Sequence, residues 1–358
     1  MRVGIIGAGQ LGQMLGFAAR NLDIECRFLD PSLLPPAGVC GEVIQRPFDD
    51  DAALHELAAN GDVITYEFEN VPVSALQCTE RDIPIYPPID ALRQAQDRLF
   101  EKQLFSSLGI PLPGWHAIDG PDDCVAAAEK LGLPMVVKTR RLGYDGKGQF
   151  VVRNRDDIDA AWKALGGQAL IAEQWIAFDM EVSVIGVRNA AGDVRNYELT
   201  QNVHHDGILR TSRAPVDSAV LADKASGYMH LLLERLDYVG VLALELFVSG
   251  DQLLANEFAP RVHNSGHWTI EGAATSQFEN HLRAVTGLPL GSTRSLGHAG
   301  MVNLIGEIPD AVRKLGAGYV HDYGKIPRVG RKLGHITVVS DTAEGRDALL
   351  DSVGKSVN

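Results

Sequence analysis

The hexapeptide Gly7-Ala8-Gly9-Gln10-Leu11-Gly12 constrains this chain more than any other feature of its sequence. It follows an apolar run at residues 3–6 and opens a helical pattern at 11–22, so a strand must turn directly into a helix at these glycines. Asp30 closes the next apolar run, residues 26–30, about 20 positions further on, which completes the spacing of a dinucleotide-binding fingerprint. Apolar runs at 63–66 and 83–86 alternate with helical patterns at 52–60 and 73–78. That alternation predicts a parallel sheet with crossover helices. The chemistry of the loop is less selective than its spacing. Amides at a helix N-terminus receive any phosphate, so a nicotinamide cofactor and some other phosphate-bearing ligand both stay open here.

At about 150 residues per domain, 358 residues predict two or three domains. A hydrophobic share of 45% and a charged share of 22% exclude disorder on a large scale. Thirty-three Lys and Arg against 46 Asp and Glu leave a net charge of −13, which disfavours nonspecific nucleic-acid binding. An anionic substrate must then be held by positive charge concentrated locally. Cys26, Cys40, Cys78 and Cys124 show no CxxC spacing, which argues against structural zinc or disulfides and for a reducing compartment. No stretch approaches the roughly 18 apolar residues of a membrane span. The early glycines also interrupt the first apolar run too soon for a signal peptide. A cytoplasmic location is the expectation.

Pro87-Pro88 marks a boundary, and one long amphipathic helix is expected over 89–108. A helix at 122–131, strands at 135–139, 149–152 and 170–173, and a helix at 157–165 predict a small α+β unit. Strands at 182–187 and 194–200, a helix at 218–236 and an antiparallel pair, 241–248 with 252–258, follow. The end of the chain reads as a small β-rich unit with a frayed tail.

Lys138 ends the strand at 135–139, and Gly143-Tyr144-Asp145-Gly146-Lys147-Gly148 follows it. One lysine at a strand edge is usually a snorkelling side chain. Three glycines in six residues between two strands change the balance, because they permit the positive φ and close backbone approach of a flap over phosphates. No helix follows them, so this is not a Walker A loop. Glu245 and Glu257 each sit inside an apolar strand, where an ionised carboxylate is costly unless paired or bound to a metal. With Ser249-Gly250-Asp251 as a three-residue loop, Glu245 pairs with Ala255 and Glu257 becomes its diagonal neighbour on the same face; a two-residue loop would separate the acids. Two such carboxylates beside Asn256 are hard oxygen ligands of the kind Mg²⁺ takes together with nucleotide phosphates.

Further motifs are His205-Asp206-Gly207-Ile208-Leu209-Arg210-Thr211-Ser212, Gly330-Arg331-Lys332-x-Gly334-His335 and the segment Asn256-Glu257-Phe258-Ala259-Pro260-Arg261-Val262-His263-Asn264-Ser265-Gly266-His267-Trp268-Thr269. In this order, and with the two glycine loops, they resemble the ATP-grasp ligases. Within these the likeness is to the N5-carboxyaminoimidazole ribonucleotide synthetase family of bacterial purine biosynthesis, over essentially the whole chain. The resemblance implies an α/β and α+β architecture: a Rossmann-like N-terminal domain over 1–95, an ATP-grasp domain over 96–290 with a mobile lid at about 115–178, and a small β-rich C-terminal domain over 291–358. It implies carboxylation of 5-aminoimidazole ribonucleotide by ATP and bicarbonate through carboxyphosphate, with Mg²⁺, in a cytoplasmic homodimer.

The resemblance also implies roles by position. Arg98 and Lys138 would contact ATP phosphates, and Gly143, Tyr144, Asp145, Gly146, Lys147, Gly148 and Gln149 would cover them. Glu173, Gln174, Trp175 and Ile176 would form the adenine hinge, with Glu181 on the ribose, His204 and Asn256 near the nucleotide, and Glu245 and Glu257 on the metal. Arg261, His263 and Asn264, with Lys138, would serve catalysis around bicarbonate. The ribonucleotide would be met by Gln10, Leu11, Tyr144, Asp145, Lys147, Lys325, Arg331 and Lys332. Lys147 stands where the family usually carries arginine, which keeps the charge but loses the bidentate fork. Glu67 and Glu69 are open between a contact to the substrate amine and a helix cap. A formate- or amino-acid-using ATP-grasp relative would differ only in the acid it activates. A nicotinamide oxidoreductase rests on the first loop and Asp30 alone.

Overall fold

The computed structural model describes residues 1–59, 61–143, 147–314, 316 and 318–357. Its first sheet contains β1 (Arg2–Ile6), β2 (Glu25–Leu29), β3 (Glu42–Ile44) and β4 (Val63–Tyr66), parallel throughout and ordered β3-β2-β1-β4. The expected alternation produces it. Every residue of β4 is buried, as a strand covered on both faces requires. Residues 83–86 add only one bridge, Ile64 to Ile85, in place of the expected strand.

The helix expected over 89–108 is broken into Ile89–Ala95 and Arg98–Ser107. Asp97 explains the break: its backbone is extended, and its side-chain carboxylate caps the second helix by accepting the amide of Leu99 at 3.0 Å. A small antiparallel sheet follows, ordered β5-β8-β6-β7, with β5 (Trp115–Ile118), β6 (Met135–Thr139), β7 (Gln149–Val152) and β8 (Leu170–Gln174). Helices Pro121–Leu131 and Asp157–Leu165 pack on it around Ile118, Ala127, Val137, Ala161 and Leu170.

The third sheet is built from β9 (Met180–Arg188), β10 (Val194–Asn196), β11 (Thr200–His205), β12 (Ile208–Ala214), β13 (Gly240–Ser249), β14 (Gln252–Ala259), β15 (His298–Ile305), β16 (Tyr319–Asp322) and β17 (Lys332–Ser340). Its order is β14-β13-β9-β11-β12-β15-β17-β16, with β10 paired to β9. The β-rich end of the chain joins the central sheet, with β15 pairing with β12. The tail is not frayed. Ala343–Val357 form a helix that buries Leu350 and Val353 against the sheet.

Candidate active site

A cavity of about 760 Å³ opens where the three sheets meet. Gly9, Gln10, Leu11, Glu67 and Glu69 line it from the N-terminal domain, Arg98 from the start of the helix Arg98–Ser107, and Arg140 and Gly143 from the loop after β6. His204, Glu245, Glu257, Arg261, His263, Asn264 and Lys332 line it from the large sheet.

The two strand carboxylates meet there by a route other than the expected one. Ser249 pairs with Gln252, so the turn is the two-residue Gly250-Asp251 and not a three-residue loop. Continued unchanged, that register would set Glu245 against Asn256. A β-bulge intervenes: Leu246 pairs with Ala255 and Glu245 with Glu257, which brings the acids directly opposite. Groups outside the strand hold the bulge. Glu101 accepts the Phe258 amide at 2.7 Å, Lys102 donates to the Asn256 carbonyl, and the Ala255 amide donates to the Pro111 carbonyl at 2.7 Å. Glu101 and Lys102 are both buried on one face of the helix Arg98–Ser107. That face was the available signal, since they share it with Leu104 and Phe105.

Burial, then the facing Glu257, raises the Glu245 carboxyl to about 7. Burial would raise Glu257 as well, but Arg98, at 3.1 Å, and Lys138 outweigh it and hold that carboxyl low. Two acids facing each other with unequal proton affinities fit a divalent cation, whose charge removes the repulsion. Around them runs a band of cations. Lys138 lies 2.8 Å from Glu173 and the buried Lys102 3.6 Å from it, and against the cost of burial these cations hold Glu173 at about 2. Arg140 grips Asp97 through two bonds of 2.9 and 2.7 Å, tying the end of β6 to the helix that carries Arg98. At Gly148, with φ of +73°, a Cβ would lie 2.7 Å from Thr139 Oγ1, so the entry to β7 requires glycine.

The N-terminal loop behaves differently. Asp30 accepts the Ala8 amide at 2.8 Å, and Glu67 accepts the Gly9 amide at 2.7 Å. Carboxylates of the chain itself fill the loop where a pyrophosphate would bind, which removes the basis for a nicotinamide cofactor. Glu67 thus sits at the N-terminus of the helix Gln10–Arg20, and Glu69 pairs with Arg261 at 2.7 Å.

Of the remaining expected residues, Lys325 donates to Gln10, and burial, then Arg331, lowers its ammonium to about 8. Arg331 donates to the Ile326 carbonyl at 3.2 Å. Glu181 bonds His204 Nδ1 across β9 and β11; burial opposes protonation of that imidazole, but Glu181 and the facing acids raise it. His263 Nε2 lies 3.3 Å from Glu245, while burial and then Arg261 keep its ring from protonating. Lys147 is exposed, and Gly148 and Gln149 lead into β7. Gln174, Trp175 and Ile176 are not among the described residues that line the cavity. Tyr144, Asp145 and Gly146 lie outside the described residues.

Fold and site define an ATP-grasp enzyme: the ATP-grasp domain family matches residues 103–278. A ribonucleotide synthetase preATP-grasp domain matches 1–96, and a phosphoribosylaminoimidazole carboxylase C-terminal domain matches 299–348. The N5-carboxyaminoimidazole ribonucleotide synthase of Pseudomonas aeruginosa is 47% identical over 340 residues, 94% of each chain. The crystal structure of the N5-carboxyaminoimidazole ribonucleotide synthetase of Thermus thermophilus superposes with a TM-score of 0.96 at 50% identity, covering 99% of this chain and 98% of that one. An Aspergillus clavatus N5-carboxyaminoimidazole synthase, solved with ADP and 5-aminoimidazole ribonucleotide, gives 0.91 at 33% identity, covering 99% and 98%. This chain belongs to the N5-carboxyaminoimidazole ribonucleotide synthase family.

Proposed function

We infer that the protein is the ATP-dependent ligase that carboxylates 5-aminoimidazole ribonucleotide with bicarbonate, giving N5-carboxyaminoimidazole ribonucleotide, ADP and phosphate. Membership of the family supports the reaction. The observation that carries the site is the direct opposition of Glu245 and Glu257, flanked by Arg98 and by Lys138 on Glu173.

Bicarbonate is a poor electrophile because attack would expel hydroxide, and phosphorylation turns that oxygen into a leaving group. The protein's share of the work is alignment and charge neutralisation. Arg98 and Lys138 supply fixed positive charge beside the nucleotide phosphates, in a chain whose net charge is −13. Glu245 and Glu257 would hold Mg²⁺, which when bound screens the triphosphate and polarises its terminal phosphoryl group. Arg261, His263 and Asn264 surround bicarbonate and the carboxyphosphate made from it, with Arg261 oriented by Glu69. Lys325, Arg331 and Lys332 face the phosphate of the ribonucleotide, with Gln10 and Leu11 beside it. Carboxyphosphate hydrolyses in water, so the site must be closed to solvent while it exists.

The domain division at 95 and 290, the lid at about 115–178 and the adenine hinge at Glu173–Ile176 belong to the same reading. So does a homodimer, which sedimentation velocity would report as twice the mass of one chain. Free cysteines support a cytoplasmic setting, and among the described residues no helix is long and apolar enough to cross a membrane.

The test is ADP release coupled to a spectroscopic readout, with aminoimidazole ribonucleotide present and bicarbonate added or stripped. Release that needs both supports the ligase. Release supported by formate or an amino acid in place of bicarbonate assigns the chain to another ATP-grasp activity.

A further inference from the structure

His263 stands at the cavity wall with Nε2 3.3 Å from Glu245 Oε1. Its other nitrogen, Nδ1, is approached by the backbone amide of Ser265 at 3.3 Å and by the Ser265 hydroxyl at 2.9 Å. A backbone N–H can only donate, so Nδ1 must accept and carries no proton. The ring proton therefore sits on Nε2, facing Glu245 and the cavity.

The hydroxyl side of the contact agrees. Ser183 Oγ lies 2.8 Å from Ser265 Oγ, Asn202 Nδ2 lies 2.9 Å from Ser183 Oγ, and Ser212 Oγ lies 2.8 Å from Asn202 Oδ1. All four side chains are buried. With the Asn202 amide donating to Ser183, the Ser183 proton must go to Ser265, and the Ser265 proton must go to His263 Nδ1. The direction runs one way, from Ser212 to the imidazole. The backbone of His263 is clamped as well, its amide donating to Gln277 Oε1 at 3.0 Å and its carbonyl accepting from Gln277 Nε2 at 2.6 Å.

We propose that His263 is locked as the Nε2–H tautomer and meets bicarbonate as a hydrogen-bond donor, not as the proton acceptor, and that Ser265, Ser183, Asn202 and Ser212 are positioning residues for that proton. The placement of bicarbonate rests on the function inferred above; the tautomer does not. A donor at Nε2 suits the reaction, because negative charge gathers on the bicarbonate oxygens as they attack the terminal phosphorus.

Two-bond ¹H–¹⁵N correlation spectra of the whole enzyme labelled with [¹⁵N]histidine test the tautomer, with His263 assigned by the signal missing from His263→Gln. The proposal expects an unprotonated Nδ1 and a protonated Nε2; a protonated Nδ1 overturns it. Ser265→Ala is expected to raise the KM for bicarbonate by about tenfold, one hydrogen bond's worth, while the KM for ATP stays put. Ser212→Ala, remote from the cavity, is expected to do the same to a smaller degree, and keeps the test open should the first variant fold poorly. Unchanged bicarbonate kinetics in both folded variants, or equal rises in both constants, would overturn the positioning role. ADP release that ignores bicarbonate in the unmodified enzyme would sink the assigned function, while the spectrum would still report the tautomer.

Discussion

Two pairs of acids, Asp30 with Glu67 and Glu245 with Glu257, come from strand ends or strand interiors and line one cavity. They differ in what faces them. Asp30 receives the amides of Ala8 and Ser32, both at 2.8 Å, and Glu67 receives Gly9, so the first pair is satisfied from within the chain. Glu245 and Glu257 face each other, with His263 at the first and Arg98 at the second. Backbone amides answer the first pair, whereas the second is answered only by side chains, which is why we propose it, and not the first, as the cation site.

The largest expected effect breaks the second pair. Glu257→Gln should lower ADP release by about a thousandfold or more with the thermal transition retained, as loss of a metal's charge stabilisation in phosphoryl transfer implies. Full turnover in that variant would remove the metal assignment. Breaking the first pair should act on folding. Asp30→Ala strands the buried Ala8 amide and should cost about 1–3 kcal/mol, measured by urea unfolding. The same variant should not create affinity for a nicotinamide dinucleotide, which calorimetry would check.

A smaller effect separates the substrates. Lys332→Ala should raise the KM of the ribonucleotide more than that of ATP, and equal rises would remove the phosphate anchor. The smallest concerns pH. Glu101 is raised by burial from 4.5 to about 8, so the folded state holds its proton more tightly than the unfolded chain. Stability from this group is complete below 4.5 and is lost as pH climbs toward 8. Glu101→Gln keeps an acceptor for the Phe258 amide and should flatten the fall of Tm across that window; an unaltered slope would contradict the buried, protonated state.

The strand–helix alternation made the parallel N-terminal sheet legible, and strands 135–139 and 149–152 match their expected bounds because apolar alternation and glycine or proline punctuation coincide there. Gln96-Asp97 defeated the long-helix expectation because amphipathic period runs through a break that only a capping carboxylate reveals. The meeting of Glu245 and Glu257 on one face was expected, yet by the wrong turn. No single-strand pattern announces a bulge pinned from another helix by Glu101 and Lys102. The glycine fingerprint was legible and misleading in equal measure, since the acid that fills it, Glu67, lies 58 residues from Gly9.

The most direct test is Mn²⁺ titration followed by electron paramagnetic resonance, with a non-hydrolysable ATP analogue present. Tight Mn²⁺ uptake in the unmodified enzyme, lost in both Glu245→Gln and Glu257→Gln while the analogue still binds, is the predicted result. Uptake undiminished in both variants would contradict the account.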